Sequence, residues 1–173
     1  MSNEAWSSSS WRMMQIGLVV RDMDAAVSRL TAMGFGPFVP KLLPPDSKLT
    51  VANGHSSDTE INVQRSMIGN VELELCQPIS GDSPHQAFLD SKGEGVQHIL
   101  FEVQDVEAEL ARLTDVGATV LLKIDFKGGG LAYVDLNTCG FVIELIQLPK
   151  NDPEQMKIVL SLDAPNPAFN PYK

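Results

Sequence analysis

With 173 residues and a formal net charge of −9, the chain fits one ordinary domain, or two small ones fused into a unit. It lacks the basic patches that nucleic acid or an anionic membrane surface would need. Apolar residues make up 43%, as in globular proteins, and no apolar run approaches the roughly 20 residues that cross a bilayer.

The first residues, Met1-Ser-Asn-Glu-Ala-Trp-Ser-Ser-Ser-Ser10, are polar and lack the basic, apolar, small-residue order of a signal peptide. Residues 1–13 are expected to form an arm. Two cysteines, Cys76 and Cys139, make no disulfide framework and suit a reducing, cytoplasmic compartment.

Residues 15–20 alternate as a strand, and Asp22 offers an N-cap. Met23, Val27, Leu30 and Met33 then follow at helical spacing up to Gly34. After the Pro44-Pro45 break, residues 48–52 read as a short strand. Residues 61–68 and 71–76 read as two strands joined at Gly69-Asn70. Ser83, with Pro84 behind it, starts a helix in the connecting segment. His55 and His85, in loop and linker, are expected to face solvent.

A second series follows. In residues 97–103, Gln97, Ile99, Phe101 and Val103 share one face, and His98, Leu100 and Glu102 the other. Asp105 is the next cap, and Val106, Leu110, Leu113 and Val116 precede Gly117. Strands are expected at 119–124, 131–136 and 141–147, with turns at Gly128-Gly-Gly130 and Asn137-Thr-Cys-Gly140. The triple glycine is not a phosphate loop, since no Lys-Ser/Thr follows it. Beyond Pro149, one helical turn is expected within 150–156, then the apolar residues 158–162. The proline-rich tail to Lys173 reads as a surface or intersubunit strap.

The two series are one unit written twice. Gln15 answers His98, Asp22 answers Asp105, and Arg29-Leu-Thr31 answers Arg112-Leu-Thr114, all at an offset of 83 residues. Leu73-Glu-Leu-Cys-Gln-Pro78 likewise echoes Ile143-Glu-Leu-Ile-Gln-Leu-Pro149. The expected fold is α+β: two paired βαβββ modules, 14–78 and 97–149, form one domain at 14–149. Their sheets close around a shared cup, and residues 150–173 extend beyond it.

Four residues occupy related places in the repeat: Gln15 and His98 on the opening strands, Glu74 and Glu144 on the closing ones. Taken singly, a strand histidine or glutamate is ordinarily a hydrogen-bonded or solvated residue. Glu144 lies within Phe141-Val-Ile-Glu-Leu-Ile146, where an unpaired carboxylate would be costly to bury. An amide, an imidazole and two carboxylates together suit a borderline divalent ion such as zinc, nickel, cobalt or manganese. A closed structural zinc site would favour thiolates. Cys76 reads as a small buried hydrophobe at the edge of the cup.

The repeated module with these positions resembles the vicinal oxygen chelate superfamily, which includes glyoxalase I, methylmalonyl-CoA epimerase, extradiol dioxygenases and bleomycin-resistance proteins. The resemblance spans residues 14–149. It is closest to the epimerases, whose inter-module signature is similar to Glu74-Leu-Cys-Gln-Pro78, Asp82-Ser-Pro-His-Gln-Ala-Phe-Leu89 and Lys92-Gly-Glu-Gly-Val-Gln-His-Ile99. It implies metal ligands at Gln15, Glu74, His98 and Glu144. It also implies a second catalytic acid at Asp58 by ungapped alignment, with Glu60 nearby. Epimerases usually carry histidine in place of Gln15, whereas eukaryotic glyoxalase I uses the set Gln, Glu, His, Glu.

Three functions are expected from this. The first is a metal-dependent epimerase or isomerase. In it Glu144 removes a proton next to a carbonyl, the metal stabilises the enolate, and Asp58, Glu60 or Glu74 returns a proton. The second is a lactoylglutathione lyase acting on a glutathione adduct. The third is a non-catalytic binder of a small ligand. An acyl-CoA would need basic residues at the mouth of the cup, for which Lys41, Lys48, Arg65, Lys123 and Lys127 are candidates. Exposed sheet edges point to a homodimer.

Overall fold

The computed structural model describes residues 10–41, 47–51 and 58–160. In chain order the elements are β1 (Arg12–Val19), α1 (Met23–Ala32), β2 (Val39–Pro40), β3 (Lys48–Val51), β4 (Glu60–Ile68), β5 (Val71–Ser80) and α2 (Pro84–Lys92). They continue with β6 (Gly95–Glu102), α3 (Val106–Asp115), β7 (Thr119–Phe126), β8 (Gly129–Asp135), β9 (Val142–Gln147) and α4 (Pro153–Leu160). The expectations for Pro44-Pro45, Ala52, His55, most of the arm and the tail fall outside the described residues.

Local chemistry sets the element ends. Asp22 accepts a hydrogen bond from the Ala25 N–H at 2.9 Å, and Asp105 accepts one from Ala108 at 3.0 Å. Ser83 Oγ does the same for Gln86, with Pro84 at the head of α2. The arm ends sooner than expected, because Arg12 and Met13 already pair with Glu102 and Phe101 of β6. Trp11 packs on Phe101, with ring centroids 5.5 Å apart.

The triple glycine is only partly a turn. Gly128 takes a φ of 78°, while Gly129 and Gly130 open β8. A Cβ on Gly129 would lie 2.2 Å from the Gln147 carbonyl oxygen, so the close approach of β9 requires glycine there.

Among the described residues nine strands form one mixed sheet in the order β2-β4-β5-β1-β6-β9-β8-β7-β3. β1 runs parallel to β5, β6 runs parallel to β9, and β1 and β6 pair antiparallel at the centre. The modules are thus joined edge to edge about an approximate two-fold axis. One strand crosses over: β3, in the first half by sequence, pairs with β7 of the second, Leu49 opposite Ile124. Its chain neighbour β2 pairs with β4 at the far end. Consecutive strands therefore sit on opposite ends of the sheet, which curls into a half-barrel.

The outer face is covered by α3 and α1. Val106, Leu110 and Leu113 pack on Ala132, Val134, Ile143 and Leu145, and Met23 packs with Val20 and Leu75. Each such side chain contributes about 1.5–3 kcal/mol by burial. On the inner face Leu100, Leu122, Ile124, Leu131 and Tyr133 form another cluster, which Val159 of α4 joins. The segment after Pro149 is thus a two-turn helix seated in the core, where a single turn was expected. Among the described residues no helix is long and apolar enough to cross a membrane.

Candidate metal centre

Residues opposite one another across the sheet form rows, with strands about 4.8 Å apart. One row runs Arg65, Glu74, Gly17, His98 over β4, β5, β1 and β6. The next runs Gln15, Leu100, Glu144, Tyr133 over β1, β6, β9 and β8. The repeat thereby delivers Gln15, Glu74, His98 and Glu144 to one spot on the concave face. All four are buried, at 2%, 3%, 0% and 1% exposure.

His98 is the hub. Its Nδ1 lies 2.7 Å from Gln97 Oε1, an acceptor that assigns the proton to Nδ1 and fixes the ring. Its Nε2 lies 3.2 Å from Glu74 Oε2, 3.2 Å from Glu144 Oε2 and 3.2 Å from the Gln15 amide nitrogen. One ring nitrogen cannot satisfy three groups. Despite its nearness to the ring, Glu144 Oε2 is left without a hydrogen bond in acceptable geometry among the described residues.

Lys41, expected only as a basic candidate for the mouth of the cup, sits in the cluster itself. Its ammonium donates to Glu74 Oε1 at 2.7 Å and to Gln15 Oε1 at 3.2 Å, and it lies 3.7 Å from Glu72 Oε1. Burial opposes its charge, but Glu74, Glu72 and Glu144 outweigh burial and hold its pKa above the ordinary range. The equivalent residue in the second module is Ile124, so only one of the two carboxylates has an ammonium beside it. Burial would lift Glu74, yet Lys41 and His98 hold it below the usual carboxylate range. Burial pushes Glu144 up to about 7; His98 opposes that, the charge of Glu74 reinforces it, and Tyr133 donates a hydrogen bond to it. Two equivalent carboxylates are thus driven apart in proton affinity.

The cluster opens on a cavity of about 320 Å³. Cys76 borders it, buried and donating to Glu74 Oε2 at 3.3 Å; burial and Glu74 push its thiol well up. His85 also borders it. Far from facing solvent, the ring is 3% exposed, because α2 turns His85 and Leu89 inward from adjacent turns. Burial, with the charge of His98, lowers its pKa to about 3. Asp58 is exposed and is not among the lining residues, whereas Glu60 lines the cavity. Of the basic candidates only Lys41 borders it. Arg65 is buried against Glu72 at 3.2 Å, Lys123 pairs with Glu107 and Asp125, Lys127 pairs with Asp152, and Lys48 is exposed. Cys139 is exposed in its turn.

These residues fit a divalent cation. Ligand atoms of Glu74, His98 and Glu144 lie within 4.8 Å of one another. An orphaned carboxylate oxygen faces the same space as the imidazole nitrogen, and the amide of Gln15 can turn either atom inward. Oxygen donors with one nitrogen match the borderline divalent ions.

Residues 14–134 match the model of the Glyoxalase/Bleomycin resistance protein/Dioxygenase superfamily. The chain belongs to that superfamily. The chain is 31% identical over 99 residues to the uncharacterized protein YqjC of Bacillus subtilis, covering 55% of this chain and 70% of that one. It is 34% identical over 87 residues to the ethylmalonyl-CoA/methylmalonyl-CoA epimerase of Cereibacter sphaeroides, covering 46% and 63%. Among solved structures, it resembles a Streptomyces coelicolor methylmalonyl-CoA epimerase in complex with 2-nitronate-propionyl-CoA. There the TM-score is 0.57 at 25% identity, covering 79% of this chain and 96% of that one.

Proposed function

We propose that this protein is a metal-dependent epimerase or isomerase that moves a proton on the carbon next to a thioester carbonyl. The observation that carries the reading is the convergence of Gln15, Glu74, His98 and Glu144 on one buried point, from which Glu74 and Glu144 border a cavity. The likeness to methylmalonyl-CoA epimerases supports an acyl-CoA as substrate.

Glu74, His98, Glu144 and Gln15 would hold the ion, which when bound supplies a Lewis acid that polarises the carbonyl. Glu144 is the base: Tyr133 faces it from the neighbouring strand, and the Lys41 ammonium is bonded to Glu74 instead. Glu74, next to Lys41, stays ionised and binds. Glu60, which lines the cavity, takes the role of second acid in preference to Asp58.

A cytoplasmic homodimer belongs to the same reading. Two unpaired cysteines support the compartment, and exposed Met13, Ile68 and Val96 support the association. A lactoylglutathione lyase is the second reading, favoured by an amide at Gln15. Deuterium uptake from solvent at the α-carbon of methylmalonyl-CoA separates the two. Uptake by wild type, lost in a metal-loaded Glu144→Gln variant, supports the epimerase; turnover of a glutathione hemithioacetal without such uptake sinks it.

A further inference from the structure

We propose that His85 is a substrate-contacting residue whose imidazole hydrogen-bonds a third oxygen of the substrate, beyond the two taken up at the Gln15–Glu74–His98–Glu144 cluster. This rests on the reading above for the way the substrate sits. The residue is 3% exposed, and among the described residues neither Nδ1 nor Nε2 has a hydrogen-bond partner. A neutral imidazole carries one N–H and one lone pair. Leaving such groups buried and unmet is costly. A leucine, as at Leu89 one turn along, would fill the place without that cost. The polarity therefore answers to something that enters the cavity.

The position fits that role. His85 lines the cavity beside Tyr133, Glu74 and Glu144, and its ring meets those of His98 and Tyr133 edge-on, with centroids 5.9 Å and 5.1 Å away. It is outside the group of ligand atoms that approach one another within 4.8 Å. It thus looks onto the space next to the cluster rather than into it. Much of the remaining wall is apolar, built from Leu49, Leu122, Ile124 and Leu131. The substrate class that fits has two oxygens for the cluster, a third for His85 and an apolar remainder. An acyl group that also carries a carboxylate meets this, and a plain aliphatic acyl chain does not.

Wild type, His85→Leu and His85→Gln are compared in three measurements. In metal-free protein, His85→Leu is expected to melt at or above the wild-type temperature; a fall of more than about 5 °C makes the imidazole structural and overturns the proposal. Titration with cobalt(II) alone is expected to give the same affinity in all three within about three-fold, as for a residue that is not a ligand. A loss of about ten-fold or more in His85→Leu would make His85 part of the metal site and overturn the proposal. Cobalt-loaded proteins are then titrated with oxalate, which has two oxygens beyond a chelating pair, and with 2-nitronate-propionyl-CoA. For whichever probe wild type binds, His85→Leu is expected to bind about ten-fold more weakly or worse, and His85→Gln to recover most of the loss. Equal affinity in wild type and His85→Leu overturns the proposal. Binding of oxalate without the CoA analogue sinks the acyl-CoA reading and leaves His85 to be decided by oxalate. Binding of neither probe to cobalt-loaded wild type overturns both.

Discussion

Gly17 and His98 sit opposite each other on the two central strands, and the imidazole occupies the place a side chain on Gly17 would take. A Cβ there would be 1.9 Å from the ring Cε1 and 2.0 Å from Nε2. Gly17→Ala must push the ring off the cluster. Its predicted effect is a fall in divalent-metal affinity on the order of 10–100-fold, the usual loss when a ligand's orientation is spoiled. Titration of chelator-treated protein with cobalt(II) measures it. Unchanged affinity would mean that His98 is not a ligand.

Lys41 supplies the positive charge that the carboxylates need when no divalent ion is bound. Its side chain is 17% exposed and that of Glu74 only 4%. Removing one partner of such a pair costs about 3–5 kcal/mol. Lys41→Met is predicted to lower the melting temperature of metal-free protein, and added cobalt(II) to restore more stability to it than to wild type. Ammonium and metal compete for Glu74, so metal affinity in the variant should rise. Equal gains on adding metal would show that the two charges do not share a site.

These two residues also mark what could be read from sequence. The capped helices, the strand alternation and the four equivalent positions were legible because each depends on local pattern or on the repeat. The place of Lys41 in the cluster was not: its counterpart is Ile124, so the repeat does not set it apart from the other basic candidates. The crossing of β3 to β7 is a non-local pairing without a local signature. His85 had a signal that was passed over, since it stands four residues before Leu89, and the two form the buried stripe of α2. The second acid is expected by alignment at Asp58, but Glu60, at the head of β4, lines the cavity and Asp58 does not.

His85 also sets a pH dependence. Its pKa is lowered to about 3 from an ordinary value of 6.5. Above pH 6.5 it is neutral in folded and unfolded chains alike and contributes no slope. Below 6.5 the unfolded chain takes up the proton and the folded one does not until about 3, so stability is lost as pH falls through that window. Denaturant unfolding of metal-free wild type and His85→Leu between pH 7 and pH 4 checks this. The variant is predicted to gain on wild type steadily with acidification; parallel curves would contradict it.

The central claim is that one cation site is made from both halves of the repeat, and cobalt(II) titration of chelator-treated protein, followed by calorimetry, tests it most directly. The predicted result is one ion per chain in wild type. Affinity should fall at least about ten-fold in Glu74→Gln and in Glu144→Gln, and binding should be lost in His98→Ala. No binding by wild type, or full binding by His98→Ala, would contradict it.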